Sequence, residues 1–291
     1  MTSHNTNLAP ILYDIVHQYI NKDGRRIDLV AVTRGPGLPG SLSSGLSTAK
    51  GLSIGLDTNF IAVHHMMLVL SRSLIDHEII ASTVDIAVGD LLDKCARHLG
   101  VTWQSKMPAA AMEAWSSDAE LGDNQDWDFT IPLERKPTHR STLAFSFSGL
   151  GSAVERLIVA EMNETRRKSL ARAIQFTAFE HIIRKVILSL EQHDLSVSSL
   201  VVSGGVASNK LLRSHFRQKL EEKGFHNIEL VFPPVEFCTD NAAMIAWAGY
   251  EMYQAGYKSE LSALTLPKWP LNEMMDVKGW IHQSTLPPLC N

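Results

Sequence analysis

The sequence predicts an α/β protein, and three observations carry that expectation. An apolar, β-branched run, Leu29-Val30-Ala31-Val32-Thr33, passes through a Gly/Pro-rich turn into a helix-compatible stretch. A second apolar run, Phe60-Ile61-Ala62-Val63, closes the unit, and β-turn-α-β order marks this class. The same order returns in the C-terminal half, where a strand over 199–202 meets Ser203-Gly204-Gly205-Val206-Ala207-Ser208-Asn209 and then a helix. The first two runs lack polar alternation, as strands buried on both faces do.

Each element follows in order. Residues 10–20 read as a short amphipathic helix ended by Asn21-Lys22-Asp23-Gly24. After the first strand, Arg34-Gly35-Pro36-Gly37-Leu38-Pro39-Gly40 breaks the chain, and Ser41 can cap a helix to Gly55. Residues 68–73 and 78–82 form a hairpin, and 85–99 a helix. From 102 to about 140 periodicity is lost among Trp, Pro and acidic residues, which predicts an irregular insert. Helices are expected over 152–161 and 166–192, strands over 199–202 and 228–232, and helices over 208–223 and 240–255. The linear division is a partial N-terminal lobe over 1–100, the insert over 101–144, and a C-terminal nucleotide-binding lobe over 145–291.

Composition bounds the function. A chain of 291 residues with 45% hydrophobic and 20% charged residues buries a real core in one large or two smaller domains. A net charge of -4 argues against binding nucleic acid by bulk electrostatics. The dense basic cluster Arg166-Arg167-Lys168 with Arg172 reads first as a solvated helix start. Cys95, Cys238 and Cys290 have no short regular spacing, so neither a disulfide framework nor a zinc module is expected, and a reducing compartment is the default. No apolar run approaches the roughly 18 residues of a membrane span, and no targeting peptide is visible at Met1-Thr2-Ser3-His4-Asn5.

Several constellations could carry chemistry. Paired glycines between strand and helix let backbone approach a ligand, and the free N–H groups of the helix start favour an anion or polar group. Asn209 offers donor and acceptor to a ribose hydroxyl or base edge, although a tight turn with a helix cap makes the same pattern. The turn 34–40 lacks the Lys of a P-loop and reads as a rigid structural turn or a wall of the cleft. His64-His65 ends a strand, where α/β proteins place ligand groups. Asp240 is equally an N-cap or a metal ligand. Asp90 and Asp93 lie one turn apart on a helix face, and Asp93 could bind a sugar hydroxyl or pair with Arg97.

In this order, Val32-Thr33-Arg34-Gly35-Pro36-Gly37, Val63-His64-His65-Met66, the stretch 85–94, Phe145-Ser146-Phe147-Ser148-Gly149, the turn 203–209 and Thr239-Asp240-Asn241 resemble the glycoprotease-like family of tRNA threonylcarbamoyladenosine transferases. The tail from Trp269-Pro270-Leu271-Asn272 to Gly279-Trp280 looks like the mitochondrial branch of eukaryotes. The resemblance spans Leu29 to Trp280.

It implies an actin-like (ASKHA) fold of two ribonuclease-H-like lobes, the first incomplete here. It also implies an acyltransferase that moves threonylcarbamoyl from its adenylate to N6 of the adenosine next to the anticodon. The implied cofactor is one divalent metal, iron or zinc, held by His65 and Asp240. Asp93 matches a ribose-binding residue, and Gly205 and Asn209 match the adenosine-binding turn. Implied partners are tRNA, threonylcarbamoyl-adenylate and a homodimeric copy, with no membrane; the implied location is mitochondrial. The protease label finds no His-Glu-x-x-His helix and no Ser/His/Asp arrangement.

The chain also departs from the pattern. The family's opening hairpin with its Gly-x-Glu-Thr-Ser-Cys-Asp segment is expected to be missing. The motif His-x-x-x-His would place its second His where Val69 stands. His65-Met66-Met67 runs straight into the strand at Leu68, so two strands and a Ser-Gly-Gly-His-Thr phosphate loop are absent between them. A Gly-Gly segment expected after the Asp93 helix is replaced by 101–108. The competing expectation is a catalytically silent remnant that binds nucleotide or an intact copy. A sugar or acetate kinase of the same superclass shares only the nucleotide lobe.

Overall fold

The computed structural model describes residues 29–35, 39–64, 68–104, 107–119, 129–135, 137–158, 162–192, 199–235 and 242–283, with a few isolated positions besides. The predicted helix over 10–20 lies largely outside them. Contacts divide the chain into two compact units, Met1–Ile79 with Asn241–Asn291, and Ile80–Asp240. This grouping differs from the linear lobes read from the sequence, because a C-terminal helix returns to cover the N-terminal strands.

In the first unit, β1 (Leu29–Gly35) pairs in parallel with β2 (Asn59–His64), joined by α1 (Pro39–Gly55). Alternate residues face opposite ways along a strand. Val30 and Val32 therefore meet Leu46 and Ala49 of α1, with Phe60 from β2. Leu29 and Ala31 point the other way, into the cluster of Met252, Trp269 and Met274. Met252 belongs to α8 (Ala242–Gln254), so helices cover both faces of the pair. β7 (Tyr257–Ser259) and β8 (Trp280–His282) form an antiparallel pair. Gly256 opens it at φ +88, where a Cβ would collide with the Gln283 carbonyl.

β3 (Leu68–Ser71) and β4 (His77–Ala81) pair as expected, and the chain passes into the second unit within β4. There follow α2 (Val88–His98), α3 (Pro108–Trp115), the single turn α4 (Pro137–Arg140), α5 (Ser148–Leu157) and α6 (Glu164–Gln192). β5 (Ser199–Val201) and β6 (Glu229–Val231) pair in parallel around α7 (Lys210–Glu222). The helix α6 is the core of this unit. Leu170, Ile174, Phe179 and Ile183 are fully buried, and so are Gln175, His181 and Lys185. A helix buried nearly all round must satisfy such polar groups internally.

Two differences from expectation have physical reasons. The stretch 102–140 contains α3, whose Pro-Ala-Ala-Ala-Met-Glu-Ala-Trp sequence shows no apolar stripe because chiefly Met112 is buried. α5 begins at Ser148 rather than 152, because a carboxylate distant in sequence caps it (below). Among the described residues the sheets are all two-stranded.

Candidate nucleotide-binding site

The turn after β5 is shaped by its glycines. Gly204 adopts φ 100 and ψ 164, a conformation that L side chains rarely take. A Cβ placed on Gly204 or Gly205 would meet nothing within 4 Å, so bare backbone faces open space. A single 3-10 turn, Gly205–Ser208, follows, closed by Ala207 N–H donating to the Gly204 carbonyl at 2.8 Å.

Asn209 ends this turn and caps α7. Its Oδ1 accepts from Leu211 N at 2.9 Å and Leu212 N at 3.3 Å. Its Nδ2 donates to Gln175 Oε1 at 3.0 Å, and Gln175 Nε2 in turn donates to Ser116 Oγ and the Ala171 carbonyl. The side chain is 5% exposed, and every bond described for it is internal.

Asp93 lies half-buried on α2, where its Oδ1 accepts from Ala109 N, at the start of α3, at 2.9 Å. Its second oxygen has no hydrogen bond among the described residues. One turn along α3, Glu113 Oε1 accepts from Lys210 N at 2.8 Å, satisfying a first-turn donor of α7. Gly89, at the start of α2, packs 3.6 Å from Val206 Cγ2 when a Cβ is built on it. Thus Asp93, Gly205 and Asn209 are tied together through α3 and Gln175. Neither Glu113 nor Gln175 stands out in the sequence: one lies in the stretch without periodicity, the other mid-helix. Asp90, not Asp93, makes the helix ion pair, with Lys94 at 2.8 Å.

The Phe145–Ser148 segment is held by Asp85. Its carboxylate accepts from Ser146 Oγ (2.7 Å), Phe147 N (2.9 Å), Ser148 N (3.2 Å) and Ser148 Oγ (2.7 Å). Burial pushes this carboxyl up, but the bonds from Ser148, Phe147, Ser146 and Ile86 outweigh it and hold it well below the usual range. Behind the segment, Ser146 N donates to His181 Nε2 at 3.2 Å. Burial, with the Lys185 charge, lowers His181 to about 4. The neutral ring then carries its proton on Nδ1, which is buried and unpartnered among the described residues.

The basic cluster takes its structural reading. Lys168 pairs with Asp118 at 3.0 Å, Arg166 lies 5.2 Å over the Trp127 ring, and Arg167 Nη1 reaches the Leu99 carbonyl. Cys95 and Cys238 are free and buried, and burial raises the Cys95 thiol to about 12.

His65 and Asp240 lie outside the described residues, as do Pro36 to Leu38 and the His64 side chain. No group of three His, Cys, Asp or Glu that could hold a metal occurs among the described residues. Val69, where the motif has its second His, is a partly buried hydrocarbon on β3. Val69 offers no metal donor at that position.

A family model described as TsaD: tRNA N6-adenosine threonylcarbamoyltransferase matches residues 1–79 and 67–247. The chain is 40% identical to "tRNA N6-adenosine threonylcarbamoyltransferase, mitochondrial" of Schizosaccharomyces pombe, over 96% of this chain and 75% of the relative. The chain belongs to this family. Its fold is the family's actin-like α/β class. Bacterial members agree: the Thermosipho africanus transferase is 32% identical over 91% of this chain and 84% of its own length. That of Symbiobacterium thermophilum is 34% identical over 83% and 75%. The fission-yeast alignment runs over 312 positions, more than the 291 residues of this chain. The family member from yeast thus carries residues within the matched span that have no counterpart here.

Proposed function

We propose that this chain is a mitochondrial acyltransferase of tRNA, moving threonylcarbamoyl from its adenylate to N6 of the adenosine next to the anticodon. The observation that supports it most is the bare Gly204–Gly205 backbone, braced through α3 to Asp93. In this reading the glycine turn admits the adenosine, and the open oxygen of Asp93 accepts a ribose hydroxyl. Asn209 holds the turn and the start of α7 in register through its cap and Gln175. In the transfer, N6 attacks the carbamoyl carbon, the bond from that carbon to the phosphate oxygen breaks, AMP leaves with the electron pair, and N6 gives up a proton.

The family's activity calls for a divalent metal, iron or zinc, and His65 and Asp240 are two of its matched ligands. With Val69 in place of the next donor, transfer by this chain is slower than by members that carry His there. A second reading, a silent chain that binds nucleotide or pairs with an intact copy, draws on that same residue. Supplying the chain to cells that lack the parent enzyme separates the readings. Restoration of threonylcarbamoyladenosine supports the transferase; AMP binding without restoration supports the silent chain.

A further inference from the structure

A cavity in the Ile80–Asp240 unit, of about 390 Å³, lies along the C-terminal half of α6 and is rimmed by Arg140 and Lys223. It is separate from the glycine turn. That turn sits at the start of α7 and Lys223 just past its end, and 13 helical residues span roughly 20 Å.

The charges around the cavity divide into a closed set and an open one. Arg184 Nε donates to Glu180 Oε1 at 2.6 Å, and its Nη1 donates to Glu134 Oε2 at 2.7 Å. His215 Nε2 takes the other oxygen of Glu180 at 2.6 Å. Lys219 pairs with Glu222, and Glu191 stands exposed on the rim. Arg140, Lys185 and Lys223 have no carboxylate at ion-pair distance among the described residues. Arg140 uses its Nε on the Glu134 carbonyl, which leaves its terminal nitrogens open.

Lys185 is the informative member. It is 2% exposed, and its Nζ donates to the His139 and Arg140 carbonyls, leaving one of three N–H groups without a partner among the described residues. Burial lowers its pKa, with Glu134 working the other way. A buried ammonium beside a cavity, with no carboxylate at ion-pair distance among the described residues, is costly unless an anion completes it. Two exposed cations at the mouth suit an anion arriving from solvent, on a chain whose net charge is -4.

We propose that this cavity is a phosphate-binding site, filled by a backbone phosphate of the RNA substrate. The choice of RNA rests on the transferase reading. A polymer whose target adenosine meets the adenylate held at the glycine turn can set a backbone phosphate one helix length away, which a free small anion cannot do.

The test is binding of unmodified tRNA, without the adenylate, across a salt series, to wild type and to Arg140→Gln/Lys223→Gln. Both residues are exposed, and far-UV circular dichroism checks the fold. Lys258→Gln/Lys268→Gln, in the other unit, is the control for bulk charge. Isothermal titration with inorganic phosphate runs in parallel. The expected result is roughly tenfold weaker tRNA binding with a salt slope reduced by about one, an unchanged control, and saturable phosphate binding in wild type alone. Phosphate binding lost in the variant with tRNA affinity unchanged would keep the site but overturn the RNA as its occupant. No change in either titration would overturn the whole proposal. No turnover is needed, so an inactive chain still tests the cavity.

Discussion

The two compact units hold their interiors in opposite ways. The Ile80–Asp240 unit is organised around one long helix whose buried polar groups are answered in chains: Asn209 to Gln175 to Ser116, His215 to Glu180 to Arg184 to Glu134. The other unit packs the parallel β1–β2 pair between apolar clusters and also carries the β7–β8 pair, with Trp247 66% and Ile54 66% exposed. Among the described residues no third strand is hydrogen-bonded to this parallel pair, and unpaired strand edges invite association with other chains. Polar chains of high connectivity fix a site's geometry, while a small sandwich of apolar contacts carries the risk of self-association.

The largest effect expected from this contrast is acid sensitivity of the polar unit. His181 has its folded pKa lowered from 6.5 to about 4, so its neutral form favours the native state. That contribution is whole above pH 6.5 and is lost as pH falls toward 4, by about 3 kcal/mol. Glu180 is lowered from 4.5 to about 2: burial raises it, and the bonds from His215 and Arg184 prevail. Its contribution is whole above 4.5 and is lost toward 2. Urea titrations at stepped pH check both windows. His181→Gln should flatten the upper one and leave the lower.

Next, Asn209→Ala removes a cap and strands Gln175 Oε1 in the core, for a loss of about 2 kcal/mol. Urea midpoints measure it, and AMP binding should weaken with it. Asp85→Asn disturbs the cap on α5 and costs about 1 kcal/mol, read in the same way. Smallest in stability is Trp247→Lys, within about 0.5 kcal/mol. Its effect lies elsewhere: light scattering at rising concentration should fall if the exposed ring drives association of the apolar unit. Unchanged scattering would remove the contrast drawn between the units.

Much of this was legible in the sequence, for reasons that can be named. The strands over 29–33 and 60–63 announced burial on both faces by lacking alternation, and α1 and α8 cover those faces. The glycine turn was legible because Gly204 holds a positive-φ backbone that L side chains rarely take. What stayed hidden is long-range. Asp85 caps a helix 63 residues away, Glu113 reaches Lys210 across 97, and Gln175 sits mid-helix with nothing in its neighbours to mark it. Asn209 read as a ligand donor because a cap and a ligand contact ask for the same amide. In the structure its described bonds are those of the cap and the link to Gln175.

The most direct measurement pairs two readouts on the purified chain: AMP binding by isothermal titration, and threonylcarbamoyladenosine formed in unmodified tRNA when the adenylate is supplied. Saturable AMP binding is expected, weakened by Asn209→Ala, with the modified nucleoside far below the level made by the fission-yeast relative. Modification at that relative's full level would contradict the importance given to Val69, and absence of AMP binding would contradict the nucleotide site itself.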